Sequence, residues 1–158
     1  MEPPSTIQVV IENTTRSRVG VRALRQTVQT ALSNYRHDGV VDILLTDDQE
    51  MARLNLQYRQ IDGSTDVLTF PGPDFVGAPL GEIAISVPWA KRQAQQHQLK
   101  LAEEISYLAI HGVLHLVGFD DDDDADRLEM QLEMNKVGMK LGLPEFSDWS
   151  STGHGENA

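Results

Sequence analysis

Two histidines and a run of aspartates are the residues whose types and spacing best suit metal chemistry. His111 and His115 lie four residues apart in the apolar stretch HGVLHLVG, and Gly118 and five consecutive aspartates, residues 120–124, follow. Residues four apart in a helix share a face about one turn from each other, so two imidazoles can reach one ion. A glycine after the helix permits a left-handed turn that returns the chain past that face. The spacing predicts a metal site completed by an aspartate at 120 or 121.

Each part of this pattern has a second interpretation. A histidine in an apolar helix often serves as a hydrogen-bonded packing residue, and aspartates at the start of a following helix are stabilised by its macrodipole. The spacing HxxxHxxGxxD also occurs in zinc peptidases of the metzincin group, where the residue after the first histidine is the glutamate general base. That position is Gly112 here. A peptidase mechanism therefore lacks its proton acceptor.

The composition limits the kinds of protein that the chain can form. Its 158 residues suit one compact domain, which we expect over residues 1–144, followed by a polar, loosely ordered tail over 145–158. The chain has no cysteine, so a metal must be held by histidine, carboxylate or backbone oxygen. The first residues, MEPPSTIQVV, lack the features of a signal peptide, and no stretch has the length of a membrane span. We expect a soluble, cytoplasmic protein that contacts no membrane.

The charge of the chain is unevenly distributed. A net charge of -11 argues against a protein that binds nucleic acid over its whole surface, and we expect no DNA ligand. Residues 16–37, however, contain five arginines and no acid. Three of these, Arg18, Arg22 and Arg25, are candidate residues of a substrate cleft, because a local basic surface can contact a polyanion. Solvated helix faces are the alternative.

Periodicity and turn residues predict a mixed sheet with helices packed on it. Alternating or β-branched runs predict strands, and apolar positions at helical spacing predict helices. Thr46 and Gln49 resemble a capping box before the second helix. The order is βαβαββααα, which indicates a single α+β domain, α/β-like in its early part, on a small four-stranded mixed sheet. The predicted strands cover 6–13, 40–47, 66–72 and 80–87, and the predicted helices cover 20–35, a segment through MARLNLQYR, a segment from Pro88, 101–117 and a segment from Asp124 to Leu141.

Two long segments together resemble a known family. HGVLHLVGFDD, residues 111–121, resembles the HGxLHLxGyDH signature of the YbeY family, which comprises bacterial endoribonucleases and ribosomal RNA maturation factors. RLNLQYRQIDGSTDVLTFP, residues 53–71, is similar to the family's second signature, RxLNxxyRxxdxxTDVLSFP. LGEIAIS, residues 80–86, resembles the strand that follows it. The likeness covers roughly residues 6–144.

The resemblance implies roles for particular residues. His111 and His115 match the family's first two zinc ligands, and Arg59 matches a cleft arginine that is important for activity. Thr65 and Asp66 would line the same cleft. Where the family has a third histidine ligand, this sequence has Asp121.

A carboxylate at the third position changes the expected metal site. Zinc accepts aspartate at about the same distance as imidazole, so the site survives with its net charge lowered by one. Two histidines and one carboxylate also suit Fe2+ or Mn2+. Asp121 is the candidate ligand on register, and the adjacent Asp120 and Asp122 remain alternatives.

These residues support three hypotheses about function. The first is a zinc-dependent endoribonuclease that cleaves single-stranded RNA, acts in rRNA maturation and ribosome quality control, and uses Arg59 to stabilise charge at phosphorus. The proton acceptor stays open between Asp66, another group and attack by the RNA's own 2′-hydroxyl. The second is a ribosome-assembly factor that binds RNA or protein without cutting and holds a structural metal. The third is a metalloprotease, which Gly112 disfavours.

Overall fold

The computed structural model describes residues 6–145, which contain five helices and four strands. All but the first residue of the predicted tail over 145–158 lies outside the described residues. The strands are β1 (Thr6–Asn13), β2 (Asp38–Thr46), β3 (Val67–Pro71) and β4 (Gly81–Ser86), and the helices are α1 (Val21–Ser33), α2 (Asp48–Arg59), α3 (Val87–His97), α4 (Leu101–Leu116) and α5 (Asp124–Leu141). The predicted order βαβαββααα in a single domain on a four-stranded mixed sheet is confirmed.

The sheet has the strand order β1-β2-β4-β3. β1 and β2 are parallel, as are β2 and β4, whereas β3 runs antiparallel to β4. The β3–β4 connection is a loop over residues 72–80, which contain two glycines and two prolines. β3 is an edge strand because it stands at the end of the strand order. Its last residue, Pro71, pairs with Gly81 at the start of β4. Proline suits this position because an edge strand does not need every backbone donor.

The two faces of the sheet bury different helices. Val41, Ile43 and Leu45 of β2 belong to the main core with apolar residues of α1, α3, α4 and α5. Leu44, which points to the other face, packs with Met51 of α2. Alternate side chains of a strand point to opposite faces, so the consecutive apolar residues Ile43, Leu44 and Leu45 indicate a strand covered on both sides.

Side-chain caps define where three helices begin. The Asp47 carboxylate accepts a hydrogen bond from the Glu50 backbone N–H at α2, Ser86 Oγ accepts one from Trp89 N at α3, and Asp123 accepts one from Asp126 N at α5. The predicted capping box from Thr46 is wrong. Thr46 is the last residue of β2, and the strand's extended backbone continues to Asp47, which supplies the cap.

Helix α4 lies in the interior, as its apolar composition predicts. Ten of its sixteen residues are buried, and it contacts β3, β4 and three other helices. Gly112 allows this close packing, since a Cβ there would lie 2.8 Å from Ile83 Cγ2 of β4. Across the described residues, no helix combines the length and apolarity needed to span a bilayer.

Candidate metal centre

His111 and His115 project from the last two turns of α4 toward the same point. Their Nε2 atoms are 3.1 Å apart, and the rings meet at 80° with centroids separated by 4.6 Å. Ile110, Val113 and Leu114, which lie near them on α4, are apolar and buried, and this packing fixes the helix against the sheet. The helical spacing therefore does bring both imidazoles together, as predicted.

A turn at Gly118 returns the chain to the histidines. Gly118 has φ +108°, a conformation that favours glycine, and the Phe119 N–H donates to the Leu114 carbonyl at 2.9 Å. Asp121 Oδ2 then lies 3.8 Å from His111 Nε2 and 3.7 Å from His115 Nε2. The turn thus brings an acidic oxygen to the two imidazole nitrogens.

The three side chains have a spacing that fits one metal ion. Ligand atoms at about 2.0–2.1 Å from a tetrahedral ion are about 3.3 Å from each other, and the three measured separations, 3.1, 3.7 and 3.8 Å, bracket this value. Within residues 6–145, His111, His115 and Asp121 form the group able to hold an ion. Their side-chain exposure rises from 5% to 16% to 25% in that order, so the site opens to solvent on the side of Asp121.

Contacts from the turn after α1 and from α5 hold the segment that carries Asp121. The ring of Phe119 meets the ring of Tyr35 edge to face at 5.6 Å, and Arg127 Nη1 donates to the Asp121 carbonyl at 3.2 Å. The Tyr35 hydroxyl donates to Glu133 Oε2 at 2.9 Å, and burial together with this carboxylate raises the pKa of Tyr35. The phenol therefore stays neutral and keeps donating over the physiological pH range.

Asp123 and Asp124 of the aspartate run mark the start of α5. Asp123 is the N-cap, and Asp124 and Asp126 lie in the first turn, as the macrodipole interpretation predicts. The pKa of Asp126 is raised, and loss of hydration is the largest cause. The negative charges of the neighbouring Asp123, Asp120 and Asp122 raise it further. A strongly negative field therefore lies beside the candidate ligand Asp121.

Arg59 ends α2, which lies on the opposite face of the sheet from α4. The side chain is half-buried, and its Nη1 atom is buried with no hydrogen-bond partner. A buried guanidinium donor without an acceptor is costly unless a ligand supplies one. Arg59 therefore has the character of an anion-binding group.

The end of α2 and the end of α4 each lie near the edge strand β3. Tyr58, the neighbour of Arg59, meets Phe70 of β3 with ring centroids 5.2 Å apart. The next residue, Pro71, pairs with Gly81, where a Cβ would lie 2.6 Å from Leu116 Cδ2 in the last turn of α4. The end of α2 with Arg59 and the end of α4 with His115 thus both lie near the end of β3.

Thr65 and Asp66 lie at the other end of β3. Both are buried, and Asp66 Oδ1 accepts hydrogen bonds from Val67 N at 2.7 Å and from Thr65 Oγ1 at 3.3 Å. These bonds cap the start of the strand. A place for the pair in a substrate cleft stays a prediction.

The three arginines near the first helix lie toward the other edge of the sheet. Arg18 and Arg22 are exposed, whereas Arg25 is half-buried and its Nε donates to the Val9 carbonyl of β1 at 3.3 Å. β1 and β3 form opposite edges of the sheet. Their proposed contact with substrate stays a prediction.

Sequence reasoning did not single out two aromatic residues at this site. Tyr35 supports the turn before Asp121, and Tyr58 is exposed beside Arg59. The signal for Tyr58 was present, because a large aromatic residue precedes an arginine at the end of a helix in LQYRQ. No sequence signal pointed to Tyr35, because its partner Phe119 is far away in the sequence.

The fold and the site together define an α+β domain that holds a group of two histidines and one carboxylate on a buried helix. The family model described as Endoribonuclease YbeY matches residues 10–142. The chain belongs to this family.

Relatives and a solved structure agree with this assignment. An endoribonuclease YbeY of Nautilia profundicola is 40% identical over 111 residues, covering 70% of this chain and 78% of the relative. One of Nitrobacter hamburgensis is 34% identical over 154 residues, covering 90% and 81%. The solution structure of TM1509 from Thermotoga maritima matches with a TM-score of 0.60 and 27% identity, covering 86% of this chain and 89% of that one. The resemblance inferred from the two sequence motifs is therefore confirmed.

Proposed function

We propose that the protein is a metal-dependent endoribonuclease that cleaves single-stranded RNA in ribosomal RNA maturation and ribosome quality control. The family and the names of its relatives support RNA cleavage. The observation that carries the metal dependence is the convergence of His111 Nε2, His115 Nε2 and Asp121 Oδ2 within 3.8 Å of one another. The proposal includes a cytoplasmic location, where ribosomal RNA is processed, and the ribosome as a partner.

The proposed ligands are His111, His115 and Asp121. They suit zinc, and the carboxylate also suits Fe2+ or Mn2+. Such an ion supplies Lewis acidity toward a phosphate oxygen or lowers the pKa of a water molecule. The protein's part is to hold the two imidazoles on a rigid helix and to leave the Asp121 side of the site open for the RNA backbone.

Arg59 is proposed to bind the phosphate that is cleaved. Its buried Nη1 atom has no hydrogen-bond partner, and a phosphodiester oxygen would provide one. Guanidinium groups donate two parallel hydrogen bonds to phosphate and remain charged at all physiological pH values. Arg59 would thus orient the phosphate and stabilise the negative charge that develops at phosphorus.

A cleavage assay tests the proposal. The protein is incubated with single-stranded RNA with and without chelator, and Arg59→Ala is compared with Arg53→Ala, an exposed arginine on the same helix that pairs with Glu50. We expect the chelator to abolish cleavage and added zinc to restore it. Arg59→Ala should lower kcat by about 10²–10³-fold, as for other donors to developing charge, and Arg53→Ala should match the wild type.

Other outcomes would support the alternatives. RNA binding without metal-dependent or Arg59-dependent cleavage would indicate the assembly factor with a structural metal. Cleavage of casein instead of RNA would indicate the metalloprotease. Product analysis adds the chemistry: attack by the RNA 2′-hydroxyl on phosphorus expels the 5′-oxygen and leaves a 2′,3′-cyclic phosphate, whereas attack by water leaves a linear phosphate.

A further inference from the structure

An exposed aromatic pair lies beside the candidate active site and has no role in the proposed chemistry. Tyr58 precedes Arg59 in the last turn of α2, and 56% of its surface is exposed. Its ring meets the half-buried ring of Phe70 edge to face, with centroids 5.2 Å apart and an interplanar angle of 63°. We refer to Tyr58 and Phe70 as the aromatic pair.

The aromatic pair lies on the α2 face of the sheet, near the end of β3 beside which α4 also ends. Phe70 is the penultimate residue of β3, and the strand's final pairing, Pro71 with Gly81, is packed against Leu116 beside His115. Tyr58 is covalently next to Arg59, the proposed phosphate ligand. A phosphate held by Arg59 would place the nucleotides on either side of it near the last turn of α2, from which the exposed Tyr58 extends.

The ring of Tyr58 has the properties of a base-stacking residue. Proteins that bind single-stranded RNA stack unpaired bases on exposed aromatic side chains, because every base has a π-face. Edge-to-face contact with Phe70 restricts the ring before RNA arrives, so less conformational entropy is lost on binding. Stacking also suits a protein of net charge -11, since it adds affinity without more cationic groups.

We propose that the aromatic pair is a stacking platform for one base of the single-stranded RNA, with Tyr58 as the contacting ring. Tyr58 is then a positioning residue that sets which phosphate lies at Arg59 and at the His111, His115 and Asp121 group. This inference rests on the proposed function, because it assigns a base-binding contact to the RNA that the same site is proposed to cleave.

The test measures RNA binding by chelator-treated protein, so that cleavage does not interfere. A short fluorescein-labelled single-stranded RNA and a matched RNA with abasic riboses are titrated with wild type, Tyr58→Leu and Tyr58→Trp. Leucine keeps an apolar contact with Phe70 but removes the π-face, whereas tryptophan keeps a π-face. Val10→Ala is the control, since Val10 is 55% exposed on β1, the opposite edge of the sheet. Thermal unfolding of each variant confirms that it is folded.

We expect Tyr58→Leu to weaken binding of the base-containing RNA by roughly five- to one-hundred-fold, the range of one stacked base. Tyr58→Trp and Val10→Ala should bind like the wild type. The abasic RNA should bind wild type and Tyr58→Leu equally. With metal restored, Tyr58→Leu should raise KM more than it lowers kcat.

Two results would overturn the inference, and they are distinguishable from failure of the proposed function. If wild type cuts RNA but Tyr58→Leu binds it as tightly, the stacking platform is wrong and the nuclease stands. An equal loss of affinity for the abasic RNA would assign Tyr58 to local packing. If wild type neither binds nor cuts single-stranded RNA, the proposed function fails, and the stacking platform fails with it.

Discussion

Asp121 is the residue at which this chain departs from the HGxLHLxGyDH signature that it resembles. Five aspartates follow the turn, and the structure brings the carboxylate of Asp121 to the two imidazoles. Asp123, by contrast, is committed to capping α5. A site of two histidines and one carboxylate carries one positive charge fewer than a site of three histidines, so it should attract a phosphodiester less strongly.

Substitutions in the aspartate run test this register. We expect Asp121→Ala to lower zinc affinity by more than about tenfold, because removing a direct ligand costs more than removing a residue that only hydrogen-bonds to a ligand. Asp121→His should retain zinc through three imidazoles. The control is Asp122→His, an exposed neighbour that does not cap the helix. Metal content and zinc titration measure each variant, and equal effects at 121 and 122 would contradict the assignment.

Asp48 makes stability depend on pH in the acid range. Burial alone would raise the pKa of this carboxyl, but hydrogen bonds from Ser86, Arg92 and Ser64 outweigh it and lower the pKa below the ordinary 3.8. A depressed folded-state pKa stabilises the fold above about pH 4, and this contribution is lost as the pH falls through the folded value.

Asp48→Asn should therefore be less stable than wild type at neutral pH. The difference in the free energy of unfolding should shrink as the pH falls below about 4 toward the lowered folded-state pKa, because the wild-type carboxyl then becomes neutral like asparagine. Urea unfolding at pH 7 and pH 3 measures this, with Asp74→Asn, on an exposed loop, as the control. A pH-independent difference would mean that packing, and not charge, explains the effect.

At the scale of elements, the contact between α4 and β4 sets where the histidines lie. Gly112 follows His111, and the Cβ of any other residue there would press on Ile83. Gly138 in α5 is different, because a Cβ there would make ordinary contacts, the nearest 3.5 Å from Tyr107 Oη. A side chain is therefore expected to fit at Gly138 but not at Gly112.

Gly112→Ala should destabilise the fold and weaken metal binding. Overpacking costs about 1–3 kcal/mol, which exceeds the gain in helix propensity of about 1 kcal/mol, and moving α4 shifts His111. Gly138→Ala, the matched control, should raise the free energy of unfolding by up to about 1 kcal/mol. Denaturant unfolding and zinc titration measure both variants. Wild-type stability and affinity in Gly112→Ala would show that Ile83 can move aside freely.

At the scale of the whole molecule, the net charge of -11 disfavours approach of a polyanion. Basic side chains must therefore lie where RNA passes, and Arg18 and Arg22 are exposed candidates. Arg36, in contrast, is paired with Asp38 at 3.4 Å. The salt dependence of RNA binding reports how many phosphates are neutralised.

Replacing Arg18 and Arg22 by alanine should weaken binding of single-stranded RNA and flatten its salt dependence. The slope of log K against log salt should fall by about 0.7 for each phosphate that the protein no longer neutralises. Arg36→Ala is the control and should leave the slope as in the wild type. Fluorescence anisotropy over a salt series measures it, and an unchanged slope in the double variant would place the RNA path away from the first helix.

Local patterns in the sequence predicted the helices and strands and two of the three candidate metal ligands, His111 and His115. Alternation predicted β1, and apolar positions at helical spacing predicted helices such as α5, which buries Met130, Met134 and Val137. These are contacts within one element, so neighbouring residues suffice to specify them. The pair of histidines four apart belongs to the same class, and its convergence could be predicted without the fold.

Only the tertiary structure decided which distant segments meet. The sheet order β1-β2-β4-β3, the choice of Asp121 among five aspartates, and the approach of Tyr58 to Phe70 each join separate elements. Such contacts depend on how the faces of helices and strands bury apolar area against one another. The periodicity of residues within one element does not specify these contacts. The sequence therefore specified which side chains could hold a metal, and packing of α4 and α5 against the sheet determined which three side chains meet.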